Sequence, residues 1–524
     1  RKRKFITNAF ILTATSIITR LIGLAFRSYM SEKIGSQGIG LYGLVCSVYF
    51  FFASFSVSGM SLAVVRLVSD SIANKKNGFG RSIFRKCLLV AVFTGLTSSF
   101  LLFHLSEFVA FRILSDQRAV ASLKILSIAL PFISFSACFR GYFYATGHIL
   151  KVASEQLIEQ IIEIIVFVVL LKRIESDDIE KSCLAIVAGT TAAEAISCLH
   201  SYLMYLIYIS KNKICELPVK TNEKSKVLRK IFSISVPTTL STCVRTGLNA
   251  TENILIPHGL RGFGMSSDKS LSNYGMIKGM IIPIITFPAV LIFAFSTLLV
   301  PEISRENITN NINKIRHISS RVLRFTLMFS AFIMGIFWIF PVLIGNFIYK
   351  SSECGIYLFI LCPLAPFIYI SDVLDNILKG LNQQVHYLLY IVIDSIFCMI
   401  LLYFLLPKYG MKGLIITIFS GEILNFFLTS CRLIKIINLK ILFTDWLLKP
   451  LMCAIVSCVI SKSLLIKFLL TNENLEKLIF SILISLGFYL LLLYVVNLLE
   501  NDEKYILKKI FWFKKPRTCK SSSL

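Results

Sequence analysis

The sequence predicts an all-α polytopic membrane protein of about fourteen transmembrane helices, and three observations carry that prediction. Apolar residues make up 56% of the 524 positions and the mean hydropathy is +0.75. Apolar runs of roughly 20 residues, enough to cross a hydrocarbon core, recur from one end of the chain to the other. The lysines and arginines concentrate in alternate gaps between those runs, where orientation signals belong. By that alternation both termini are cytoplasmic. The net charge of +26 therefore does not point to nucleic acid, since no basic face interleaves with exposed aromatics. Fourteen cysteines lie mostly inside apolar runs without a C-x-x-C pair, so buried free thiols are expected, with no disulfide framework and no metal site.

The spans fall at about 5–27, 39–61, 87–107, 121–141, 154–171, 183–209, 229–256, 274–300, 320–347, 355–378, 386–406, 411–434, 446–466 and 477–498. The first follows Arg1-Lys2-Arg3-Lys4, and no small-residue cleavage site ends it, so it reads as a retained span. It carries Arg20 deep in the run and Arg27 seven residues on. Seven residues make two helical turns, which puts both guanidinium groups on one face. The gap from Lys211 to Lys230 reads as a cytoplasmic linker between two six-helix bundles. Weak self-similarity across it pairs Arg20 with Arg245, Arg140-Gly141 with Lys379-Gly380, and Glu155 with Asp394. The expected organisation is an N-lobe over 1–210, a linker over 211–228 and a C-lobe over 229–437. Two further spans over 438–498 and a basic tail over 499–524 complete it.

No nucleophile elbow, Walker loop or H-E-x-x-H occurs, so neither an enzyme nor a cofactor is expected. His148, His258 and His386 sit near span ends and read as satisfied interfacial side chains. The intramembrane charges are the informative residues. The cations are Arg20, Arg27, Arg245 and Lys278, read as candidate cavity cations that bind substrate. Glu159, Glu163, Glu194, Glu252, Asp394 and Glu422 are read as cavity or ion-coupling acids, with Asp372 and Asp375 also inside the spans. Bland readings stand beside these. Arg27 and Lys278 near span ends can snorkel, Arg20 can form a structural pair with Glu194, and Glu422 can be a hydrogen-bonded buried acid. Glu155, Glu159 and Glu163 form an i, i+4, i+8 stripe that either lines the cavity or pairs with cations across the bundle. Four cations facing lipid would together cost on the order of 10 kcal/mol on insertion scales, whereas in a wet cavity they create a positive field. Arginine matches phosphate oxygens bidentately, so the expected guest is an anion carrying phosphate. Pro237 and Pro257 bracket the seventh span, Pro283 and Pro288 lie in the eighth, and Pro363 and Pro366 interrupt the tenth. Prolines kink helices, which makes spans seven and eight the candidate hinges.

The order of residues is similar to one family. Thr19-Arg20-Leu21-Ile22-Gly23 with Arg27, then Gly38-Ile39-Gly40-Leu41-Tyr42, Arg140-Gly141-Tyr142-Phe143, Glu159-Gln160, Ile256-Pro257, Leu378-Lys379-Gly380-Leu381, Ile393-Asp394-Ser395 and Pro407-Lys408-Tyr409-Gly410 resemble the stage V sporulation protein B group. That group belongs to the superfamily of multidrug, lipid-linked oligosaccharide and polysaccharide exporters, with MurJ, Wzx and MATE relatives. The resemblance implies two six-helix lobes around a central cavity, alternating access, two extra C-terminal helices, and a bacterial, Gram-positive cell membrane. Arg20, Arg27 and Arg245 would then receive a polyprenyl-diphosphate headgroup. The arginine spacing is seven and Ser28 follows the second, where the MurJ pattern has a shorter spacing and an acid.

The expected function is a flippase for an anionic lipid-linked saccharide, a peptidoglycan precursor for spore cortex. Membrane lipids are expected partners, and a cation or proton gradient is one possible drive. Two alternatives stay open: a cation-coupled MATE-type drug antiporter, and a non-transporting scaffold that recruits cell-wall synthases through the basic loops and the tail.

Overall fold

The computed structural model describes residues 2–73, 77–173, 178–212, 221–439, 442, 444–468 and 475–498. Residues 213–220 of the expected linker over 211–228 and the whole basic tail over 499–524 lie outside the described residues, while 211–212 end one helix and 221–228 open the next. The described chain is helical nearly throughout. In order come α1 (Lys2–Ala73), α2 (Asn77–Phe108), α3 (Ala119–Thr146), α4 (Ile149–Leu171), α5 (Ile179–Asn212) and α6 (Thr221–Gly262). Next are α7 (Ser267–Tyr274), a π-helical stretch (Gly275–Ile281), α8 (Ile282–Thr286), α9 (Ala289–Ile308), α10 (Ile312–Ile339) and α11 (Pro341–Tyr349). The chain ends on α12 (Ser352–Leu361), α13 (Leu364–Gly380), α14 (Gln384–Tyr409), α15 (Met411–Ile437), α16 (Lys449–Phe468) and α17 (Leu475–Val495). Helix is the structure these runs adopt in lipid because it satisfies every backbone N–H and C=O internally.

All fourteen apolar runs fall on helix. Among the described residues, nine helices are long and apolar enough to cross a membrane, or eleven if each of two bent pairs is one span. The first of the nine runs over 61 residues, Thr13–Ala73. At 1.5 Å per residue a straight helix of that length would measure about 90 Å, three times the hydrocarbon thickness. It is broken at Gly35, where φ is 65° and ψ 179°. That backbone region is open essentially to glycine alone and costs other residues about 1–3 kcal/mol. Replacing Gly35 with alanine should therefore destabilise the protein by about 1–3 kcal/mol, read as a lower unfolding midpoint in detergent. The two bent pairs turn by 61° between Ser267–Thr286 and Ala289–Ile308, and by 59° between Ser352–Leu361 and Leu364–Gly380. Pro288 and Pro363 stand at those breaks as the N-caps of α9 and α13. Pro237 and Pro257 lie instead inside the uninterrupted α6.

Polar caps stop the shorter elements. The Ser266, Ser351 and Asn311 side chains accept from the backbone N–H three residues on, starting α7, α12 and α10. Helices α1 to α5 pack among themselves, as do α6 to α15, and α16–α17 lean on α10. Contact between the first two groups runs chiefly through α1, against α6, α7, the π-helical stretch, α9 and α11. Large apolar side chains such as Leu89, Phe93, Phe100, Tyr403 and Phe404 stay exposed on the flanks, where lipid tails are as apolar as they are.

Candidate functional site: a basic helix face along three cavities

One face of α1 carries Thr13, Ser16, Thr19, Arg20, Gly23 and Arg27, the three- and four-residue steps of a single helical stripe. This stripe lines three cavities. The largest, about 530 Å³, lies between α1, Arg140 of α3, the α4 residues Gln156, Glu159, Gln160 and Glu163, and the start of α9 at Val290 to Thr297. The second, about 350 Å³, opens between Arg20, Gly23 and Arg27 on one side and Ile282, Pro283, Thr286 and Phe287 on the other. A third, about 360 Å³, is shared by Arg27, Tyr42, Asn249, Asn253 and Lys278. Arg20 lines the first and second spaces and Arg27 the second and third, so each arginine is shared by two neighbouring cavities.

Neither arginine is neutralised by a carboxylate at ion-pair distance among the described residues. The Arg20 guanidinium sits 5.9 Å from the centre of the Phe293 ring, and Arg27 Nη1 donates only a long bond, 3.4 Å, to the Gly279 carbonyl. The pairing of Arg20 with Glu194 that the sequence left open does not form. Glu194 is buried beside Arg140 instead.

The α4 stripe divides its labour. Arg140 Nη1 donates to Glu155 Oε1 at 3.0 Å and lies 4.0 Å from Glu159 Oε2. Glu155 is fully buried, whereas Glu159 is a third exposed and lines the large cavity. Glu163 accepts from the Thr190 hydroxyl at 2.8 Å. So one end of the stripe pairs across the bundle and the other lines the cavity. Arg140 was legible as an arginine inside an apolar run, the signal that marks Arg20, but the sequence reading used it as evidence of a repeat and of the family resemblance and did not count it among the cavity cations.

Lys278 gathers the second set of acids, since Glu252 of α6, Asp394 of α14 and Glu422 of α15 all lie in its field. Asp394 Oδ1 also accepts a weak bond from Cys398 at 3.8 Å. Arg245 departs from expectation: it lines none of the cavities above. Its neighbour Thr246 is turned onto α1, hydroxyl to hydroxyl with Ser54 at 2.9 Å, and one step along a helix rotates the next side chain by about 100°. Arg245 consequently lies beside Tyr387 of α14 and Asp375 of α13. Its link to Arg20 runs through the acids of α13, with Asp372 in the field of Arg20 and Asp375 in that of Arg245.

The end of the bundle beyond Arg27 is closed. Gly40 meets the Leu271 carbonyl, and Gly275 meets the Ser36 carbonyl, so closely that an added Cβ at either would overlap it. Around this crossing the Ser36 and Ser272 hydroxyls are 2.5 Å apart, and Gln37 donates to Asp268. Arg118 bridges Asp116 at 2.7 Å and Asp268 at 3.1 Å. Its pairing with Asp116 raises the Arg118 pKa. Arg261 donates to the Leu114 and Ser115 carbonyls, and Lys350 pairs with Glu32 at 2.7 Å. Overpacking a tight crossing costs about 1–3 kcal/mol, so Gly275→Val should part these helices. Cysteines at Ser36 and Ser272 should then cross-link in the parent background and fail to do so beside Gly275→Val.

Residues 5–257 match the family described as polysaccharide biosynthesis protein. The chain is 23% identical over 508 residues to stage V sporulation protein B of Bacillus subtilis (strain 168), covering 96% of this chain and 97% of that one. Its fold is similar to the lipid II flippase MurJ in an inward closed conformation, with TM-score 0.67, 16% identity, and coverage of 93% and 98%. It is also similar to an inward-facing multidrug resistance MATE family transporter of the MOP superfamily, with TM-score 0.64, 12% identity, and coverage of 81% and 98%. The chain is thus a polytopic helical membrane protein, similar in sequence to stage V sporulation protein B and in fold to the MurJ and MATE transporters.

Proposed function

We propose that the protein flips a lipid-linked saccharide bearing a diphosphate across the cell membrane by alternating access, with a peptidoglycan precursor as substrate. The carrying observation is the pair Arg20 and Arg27, two turns apart on one helix face, without carboxylate partners among the described residues and each lining two of three neighbouring cavities. Two guanidinium groups so spaced suit the oxygens of a diphosphate. The adjoining hydroxyl, amide and carboxylate lining of Thr13, Ser16, Gln156, Gln160 and Glu159 suits a sugar. The gap between α1 and α8 leaves room for the lipid chain to remain in the membrane while its headgroup enters. The names of the similar proteins, a sporulation protein and a lipid II flippase, favour the same substrate.

In this reading α1 crosses twice about Gly35, each bent pair crosses once, and α4 and α6 cross as well, which makes fourteen spans with both termini cytoplasmic. The closed end then faces outward and the large cavity opens inward. α1–α5 form one lobe and α6–α15 the other. The seal at Gly40 and Gly275 is what must part for the headgroup to leave, with the bend at Pro288 as the hinge.

The test is reconstitution of the full chain in liposomes holding a fluorescent undecaprenyl-diphosphate saccharide, with an impermeant quencher outside. Protein-dependent quenching of the inner-leaflet pool supports the reading. Quenching no faster than in empty liposomes, or efflux of organic cations instead, overturns it.

A further inference from the structure

The break between α8 and α9 shapes the candidate site, because both of its arms are cavity walls. Pro283 and Thr286 before the break line the second cavity, and Phe293 and Thr297 after it line the largest. Proline alone does not explain a bend of 61° there, since Pro237 and Pro257 lie inside α6 without breaking it.

What sets Pro288 apart is one face of α13. The buried Tyr369 hydroxyl donates to the Ile285 carbonyl of α8 at 2.7 Å. Two turns along the same face, the buried Asn376 amide donates to the Ser296 hydroxyl of α9 at 2.8 Å. About one turn further on, Gly380 brings α13 close to Ile303 and the Val300 carbonyl. In an unbroken helix the Ile285 carbonyl would accept from the Ala289 N–H, four residues on. Here α9 starts at Ala289 only after the turn, and the tyrosine supplies the donor that the helix gives up. A buried carbonyl left without a donor is costly. The Tyr369 bond therefore favours the bent arrangement and adds nothing to a straight one.

We propose that the face of α13 bearing Tyr369 and Asn376 is a splint that holds the α8–α9 break bent, and that releasing its two bonds lets the pair straighten. Both are positioning residues, since they line neither of these two cavities and act through the walls that the bend sets. The splint opposes the movement assigned above to Pro288. That link rests on the transport reading, whereas the splint itself does not.

Pulsed electron spin distances on the full chain in lipid nanodiscs test it. Labelled cysteines replace Lys269 and Ile308, exposed at the far ends of the two arms, in a background whose accessible native cysteines are alanine. Tyr369→Phe keeps the ring and removes one donor, and Asn376→Leu removes the other at similar volume. The parent should give one distance. Each substitution should raise the straightened share about tenfold and the pair about a hundredfold, read as a second distance roughly 8 Å longer. A double variant with the parent's distance alone and the parent's unfolding midpoint overturns the splint. If the double variant melts early, Tyr369→Phe is read in its place by the same two outcomes. In liposomes the double variant should flip the undecaprenyl-diphosphate saccharide several-fold more slowly, because fewer molecules hold the inward-open chamber. An unchanged rate overturns the link to transport. Straightening in a protein that does not flip the lipid supports the splint and refutes the transport reading alone.

Discussion

Arg20→Glu should abolish flipping, and Arg27→Ala should weaken headgroup binding about 10- to 100-fold. A charge-assisted hydrogen bond contributes about 1.5–3 kcal/mol, and each 1.4 kcal/mol is tenfold in affinity, which sets the alanine effect. The charge reversal does more. Glutamate at position 20 faces a cavity that already holds Glu159 and Glu163, so an entering diphosphate meets like charge on two walls. Folding should survive, because Arg20 is exposed to the cavity and touches mainly the Phe293 ring. The measurements are the liposome flipping rate and the unfolding midpoint of the same preparation. Flipping at the parent rate would remove Arg20 from the site, and a collapsed midpoint would make it structural.

Glu155→Ala acts on stability. Glu155 is fully buried and pairs with Arg140, whose side chain is 19% exposed. Removing one partner of a buried pair strands the other charge and costs about 3–5 kcal/mol, a large part of a domain's stability. Replacing both residues by leucine takes away the charge together with its partner, and such replacements are often neutral. The double variant should therefore melt above Glu155→Ala despite carrying one more substitution. Unfolding midpoints of the parent, Glu155→Ala and the double-leucine variant check the claim, and a double variant that melts no higher than Glu155→Ala would contradict it.

The helices were legible because lipid leaves an apolar run of twenty residues few alternatives. The pairing of Arg20 with Arg27 was legible for the same geometric reason, since seven residues bring a helix back to one face. What periodicity does not carry is the rotation of one helix against another. Arg245 lies as deep in its span as Arg20 does, and only the contact of Thr246 with Ser54 decides that it turns toward α14. Glu194 shows the same limit: the sequence placed an acid in the membrane but not the wall that closes over it. Pro237 and Pro288 look alike in sequence, yet α6 runs straight through the first while the chain turns by 61° at the second.

The central claim is that the arginines of α1 hold the phosphates of a lipid. Native mass spectrometry of the full chain, released from membranes of a cell-wall-synthesising host, tests it most directly. A bound polyprenyl-diphosphate, present on the parent protein and missing from Arg20→Glu, is the predicted result. Ordinary phospholipid alone, or the same polyprenyl lipid retained by the variant, would contradict it.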